Sequence, residues 1–170
     1  MKVLVTAFKP FNKEQINHSE EVLKYIQNVQ KTVLEVCYDA CYEELKNKFN
    51  LDKFDLIVAL GEARSRSNLM IEECAYNLSK CSISDNSGVL YTDKIIVEGG
   101  KNVLMTQVKL PPEIDKSSDP GRFVCNNLYY HLLYNYQNKS IFIHVPNCSN
   151  DDYFKYANVI NEIINYIIHQ

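Results

Sequence analysis

The sequence has no basic excess. Its 18 Lys and Arg stand against 21 Asp and Glu, a formal net charge of −3 over 170 residues. It also lacks any Lys/Arg-rich stretch or basic–aromatic interleaving, so no nucleic-acid partner is expected. No apolar run approaches the roughly 18 residues a membrane helix needs. The opening run Val3-Leu4-Val5-Thr6-Ala7-Phe8 stops at Lys9 and Pro10, too early and without the small-residue site of a signal peptide. No membrane partner is expected, and the setting reads as cytoplasmic. The six cysteines contain no Cys-x-x-Cys pair, and Cys37/Cys41 has no matching pair at zinc-site spacing. No metal is expected, and in a reducing compartment the cysteines remain thiols, mostly small buried hydrophobes. Repeats, low-complexity tracts and linkers are absent, so residues 1–170 read as one domain.

What is present is a core-forming composition, 46% hydrophobic and 23% charged, ordinary for a globular chain. Short buried strands are predicted at 2–8, 32–38, 54–60 and 140–145, with further extended segments at 69–77, 94–97 and within 101–110. Helices are predicted at about 19–28 and 40–49, from Asp119-Pro120 to about 136, and from Asp151 or Asp152 to the C-terminus. Residues 111–119 read as a loop. Strands alternating with helices imply an α/β fold with a mainly parallel, doubly covered sheet. Active sites of such sheets lie beyond the carboxyl ends of the strands. That directs attention to Gly61 and beyond, the approach to Cys125, and His144.

Cys125 lies just after a helix start. The helix dipole and its free N–H groups would there lower the thiol pKa and could stabilise an oxyanion. Cys125 also reads as a buried packing residue. His144 closes an apolar strand, where it could exchange protons with a thiol or simply cap a strand edge. His18, His131 and His169 are weaker candidates. Glu72 lies among Met70, Ile71 and Cys74, where a carboxylate is costly unless paired, and it could orient a histidine. Glu73 must face the opposite way if the strand is regular, and residue chemistry alone leaves the choice between the two acids open.

Taken together, four segments resemble the pyroglutamyl peptidase I family, also called pyrrolidone carboxyl peptidase. They are Val5-Thr6-Ala7-Phe8-Lys9-Pro10-Phe11-Asn12-Lys13 with Asn17-His18-Ser19; Ile71-Glu72-Glu73-Cys74-Ala75-Tyr76-Asn77; Pro120-Gly121-Arg122-Phe123-Val124-Cys125-Asn126; and Phe142-Ile143-His144-Val145-Pro146. Asp85-Asn86-Ser87-Gly88 resembles a fifth family segment. The resemblance implies a three-layer α/β/α sandwich, no cofactor, and hydrolysis of the bond after an N-terminal pyroglutamyl residue of a peptide. It implies a triad of Cys125, His144 and Glu72, and so selects Glu72 over Glu73. It implies that Phe8 and Phe11 line the pocket for the pyrrolidone ring.

The chain departs from the family pattern in places. Asn12-Lys13 stand where the family has Gly-Gly, so a turn with positive φ would be costlier here. Ala7 replaces the first glycine of that motif, and Asp119-Pro120 the usual Ser-Ala before Gly121. Glu62 replaces a pocket Gln, and Ser82 replaces an Arg whose charge Arg64 or Arg66 could supply. Between Leu110 and Gly121 the family's extra helix and strand are missing, which exposes a sheet edge that a second copy could cover in a homo-oligomer. Two alternatives follow from these departures: a cysteine amidase of shifted acyl specificity, and a non-catalytic module that binds pyroglutamyl peptides.

Overall fold

A computed structural model describes residues 1–170. The strands are β1 (Val3–Phe8), β2 (Gln30–Leu34), β3 (Leu56–Ala63), β4 (Met70–Glu72), β5 (Cys74–Tyr76), β6 (Val103–Met105), β7 (Lys116–Ser117) and β8 (Ser140–Pro146). The helices are α1 (His18–Leu23), α2 (Ala40–Lys48), α3 (Val124–Tyr136) and α4 (Asn150–Ile168). Six strands form one sheet in the order β2-β1-β3-β8-β4-β7. The first four run parallel, and β4 and β7 run against them. β5 and β6 form a separate antiparallel pair. No helix is long and apolar enough to cross a membrane.

Strand periodicity builds two cores. Val3, Val5 and Ala7 of β1, Leu56, Val58 and Leu60 of β3, and Ile141, Ile143 and Val145 of β8 face α1 and α4. Leu4 and Phe8, Ile57 and Ala59, and Phe142 face α2 and α3. Side chains alternate between faces along a strand, so the sheet is covered on both sides and the layers are α/β/α. The same parity places Gly61 and His144 on the α3 face.

Several boundaries differ from the sequence reading. α1 is confined to His18–Leu23, the chain then tightening into i→i−3 turns at Tyr25 and Ile26 before Asn28 takes φ 59°. Helix α3 begins at Val124 rather than at Asp119-Pro120, because Gly121 at φ 75° turns the chain first. Asp119 braces that turn, accepting from the Gly121 N–H (3.1 Å) and from Arg122 (2.8 Å). Segment 69–77 divides at Glu73 into β4 and β5, which belong to different sheets. Segment 94–97 is not a strand. It makes one bridge, Lys94 with Ser79, and hangs on Asn77 Oδ1, which accepts from the Ile96 and Val97 N–H groups. Within 111–119 the expected loop contains the two-residue strand β7, parallel to β4. Ser149, not Asp151 or Asp152, is the N-cap of α4, with Asp152 closing a capping box.

Candidate active site

β1, β3 and β8 are parallel, so their carboxyl ends share one side of the sheet. A cavity of about 470 Å³ opens there, and Phe8, Phe11, Arg66, Phe123, Cys125 and His144 are among its lining residues. Each arrives by a separate route. Phe8 ends β1, and Phe11 follows it on the next loop. His144 points to the α3 face by strand parity. Cys125 is the second residue of α3, held by Asn126, whose side chain exchanges hydrogen bonds with the Tyr76 main chain (2.8 and 2.9 Å) and also donates to Leu78 O (3.0 Å).

Glu72 reaches His144 across the antiparallel β4–β8 pair. In that ladder Met70 opposes His144 and Glu72 opposes Phe142, so Glu72 and His144 are diagonal neighbours on one face. His144 Nδ1 donates to Glu72 Oε1 at 2.6 Å, with the carboxylate fully buried. This leaves Nε2 as the imidazole's remaining proton-exchange atom. Glu73 sits where β4 gives way to β5 and contributes main-chain bonds, donating to Ser117 O and accepting from Thr106 N–H.

Gly61 brings the thiol and the imidazole to the same place. It is the register partner of His144 in the β3–β8 ladder. A Cβ there would lie 2.6 Å from Cys125 Sγ and 2.8 Å from Phe142 Cζ. The thiol therefore packs over bare backbone beside the strand that carries His144. From sequence, Gly61 marks only the strand end beyond which the site is sought, not the seat of the thiol.

The expected lowering of the Cys125 pKa does not occur. Burial first, then the charges of Glu72 and Glu62, push the thiol up to about 12, while its own backbone N–H and Arg66 act the other way. A helix N-terminus contributes about half an elementary charge, less than two nearby carboxylates and the partial burial of the thiol. The Cys125 thiol is thus held in its neutral form.

Glu62 is among the cavity's lining residues, but its carboxylate is engaged within the protein. Its side chain is 1% exposed. It accepts from the His18 main-chain N–H (2.6 Å) and pairs with Arg64. Arg64 is therefore occupied by Glu62 and by Glu14 at 2.8 Å. Arg66 instead reaches Glu72 at 2.7 Å. The other histidines are engaged elsewhere. His18 bonds Tyr153 (3.0 Å) and Asn147 (2.9 Å), His131 bonds Asp39 (3.1 Å), and His169 bonds Asn165 O (2.8 Å). Phe123 was missed by sequence reading. It packs on Phe11 with ring centroids 5.8 Å apart and closes the aromatic wall of the cavity. Its signal was its place in the Gly-x-Phe-x-Cys segment, where an aromatic two residues before the thiol could share the cavity.

Asn12 and Lys13 do adopt left-handed backbone, at φ 53° and 63°. The turn keeps its shape without glycine and bears the strain.

A profile of the family described as pyroglutamyl peptidase matches residues 1–158. The pyrrolidone-carboxylate peptidase of Brachyspira hyodysenteriae is 34% identical, with 86% of this chain and 83% of that protein covered. That of Thermosipho africanus is 31% identical, over 86% and 82%. Among solved structures, pyrrolidone carboxyl peptidase from Pyrococcus furiosus superposes with a TM-score of 0.85 at 26% identity, covering 99% of both chains.

Proposed function

The chain belongs to the pyroglutamyl peptidase family of cysteine-type peptidases, and from that premise we propose that it cleaves the amide bond after an N-terminal pyroglutamyl residue with Cys125, His144 and Glu72. The observation that carries this reading is the buried Glu72–His144 Nδ1 pair beside a cavity lined by both His144 and Cys125. A thiol held neutral needs a base, and an imidazole oriented by a carboxylate is one.

The chemistry follows from these positions. His144 Nε2 takes the Cys125 proton as Sγ attacks the pyroglutamyl carbonyl carbon, forming the S–C bond. The carbonyl oxygen becomes an oxyanion near the first-turn N–H groups of α3, which lack intrahelical acceptors. The C–N bond breaks, and the imidazolium returns its proton to the departing amine. Water then gives a proton to His144 and attacks the thioester carbon; the C–S bond breaks, pyroglutamate leaves, and the imidazolium returns its proton to Sγ. Glu72 holds the ring and stabilises its charged form. Phe8, Phe11 and Phe123 offer flat apolar faces suited to a neutral lactam. No step needs a cofactor. Six free thiols fit a reducing, cytoplasmic setting, and a second copy covering the short β7 edge fits the same reading.

Release of a fluorogenic amine from a pyroglutamyl amide tests it. Wild type is expected to hydrolyse the amide under reducing conditions, and Cys125→Ser to lose turnover. A folded wild type that leaves the amide intact overturns the substrate assignment. Tight binding without turnover would indicate a binding module, and cleavage of a different acyl amide a shifted amidase.

A further inference from the structure

Arg66 lies on the loop between β3 and β4 and lines the cavity with Cys125 and His144. Its side chain is 17% exposed. Nη2 meets three acceptors: Glu72 Oε1 at 2.7 Å, Ser117 Oγ at 2.9 Å and Asp119 O at 2.8 Å. Nη1 is buried without a partner, as is Glu72 Oε2.

These acceptors belong to different parts of the site. Glu72 ends β4. Ser117 is its register partner in β7. Asp119 opens the turn that leads to α3 and Cys125. β7 is a two-residue edge strand, too short to hold itself by ladder bonds. All three contacts are made by Nη2, whose donors the planar guanidinium holds in fixed directions, whereas an ammonium sits on a flexible stem. The electrostatics point the same way. The carboxylates of Glu62 on β3 and Glu72 on β4 oppose ionisation of Cys125, and Arg66 favours it. Apart from His144 on β8, the base of the proposed reaction, the other titratable groups nearby, Cys41 on α2, Cys74 on β5, Tyr129 on α3 and Glu73, bring no positive charge.

We propose that Arg66 is a positioning residue for the reaction, pinning the β7 edge and the 117–119 turn to Glu72 and setting a positive charge against the two carboxylates nearest the nucleophile. This rests on the assignment of Cys125 and Glu72 above. It makes Arg66, rather than Arg64, the counter-charge of this site, where Ser82 offers none.

The test pairs two variants with two readouts. Arg66→Gln keeps hydrogen-bonding capacity and loses charge, whereas Arg66→Lys keeps charge and loses the fork. Carbamidomethylation of Cys125 by iodoacetamide at fixed pH, located by peptide mass, reads the thiol directly. Hydrolysis of a pyroglutamyl amide reads the reaction. Arg66→Gln is expected to slow alkylation roughly tenfold, the change that one unit of thiol pKa makes in the thiolate fraction. Arg66→Lys is expected to alkylate near the wild-type rate while losing part of kcat. Wild-type alkylation in Arg66→Gln, or equal slowing in both variants, would overturn the proposal. If Arg66→Gln fails to fold, Arg66→Lys and Ser117→Ala carry the test: both must keep alkylation and lower kcat, and unchanged kcat in both overturns it. A wild type that leaves the amide intact while Arg66→Gln still slows alkylation would sink the substrate assignment and support this role for Arg66.

Discussion

The Sγ atom of Cys125 occupies the space in which any side chain at Gly61 would begin, 2.6 Å from an ideal Cβ. The contact is one that real Cβ atoms do not tolerate, and Phe142 closes the other side at 2.8 Å. Gly61→Ala must therefore displace the thiol, the ring or the β3 backbone. Misplacing a reacting group by an ångström costs about 100-fold in rate. We expect Gly61→Ala to fold and to lose about 100-fold in kcat/KM on a pyroglutamyl amide, measured beside circular dichroism. Unchanged kinetics would mean that Cys125 Sγ need not lie over Gly61.

The two adjacent acids separate cleanly. Glu72→Gln replaces the carboxylate that orients His144 with an amide that has no charge and can favour the wrong tautomer, and such a change in a triad costs about 10⁴-fold in kcat. It also leaves Arg66 short of a partner, so some loss of stability accompanies it. Glu73→Gln is expected to stay within about threefold of wild type, because its recorded bonds are made by its main chain. Steady-state kinetics of both, with thermal melts, decide the matter; equal losses would reverse the assignment.

Alkaline pH should weaken the fold. Cys125 is raised from 9.0 to about 12 by burial and by Glu72 and Glu62, and burial raises Cys148 to about 11. A raised group contributes its full stability below the unfolded pKa and loses it as pH climbs through the folded one. The unfolded chain sheds these protons first, so stability is lost from about pH 9 upward. Urea midpoints are expected to fall steadily from pH 9 to 10.5, and less steeply in Cys125→Ser. A flat profile in this window would contradict the burial of these thiols.

The strained turn offers a stabilising change. Lys13 holds φ 63°, a conformation that costs a side chain about 1–2 kcal/mol and glycine almost nothing. The greater freedom of glycine in the unfolded chain offsets part of that. Lys13→Gly is expected to gain about 0.5–1 kcal/mol and raise Tm by about 2 °C. A gain at Asn12 should be smaller, since Asn tolerates left-handed backbone. Calorimetry checks both, and a lower Tm in Lys13→Gly would show that the turn is not strained.

The sequence by itself determined the alternation of strands and helices and the central strands of the sheet, because these depend on local pattern, whereas which face of each strand meets which helix layer came only with the fold. Four short segments in order, through their family resemblance, were enough to propose Cys125, His144 and Glu72 as a triad and Phe8 and Phe11 as pocket residues. Local pattern could not place the helix start at Val124, since one glycine at positive φ moved it past an apparently good Asp-Pro cap. Nor could it show Glu73 dividing two sheets, or Glu62 turning to His18 and Arg64. Tertiary structure alone decided that β4 runs against β8, which sets Glu72 diagonally beside His144. It also decided the protonation of Cys125: burial and charges brought from β3 and β4 outweigh the dipole of its own helix, and such sums run over groups that meet only when the chain is folded.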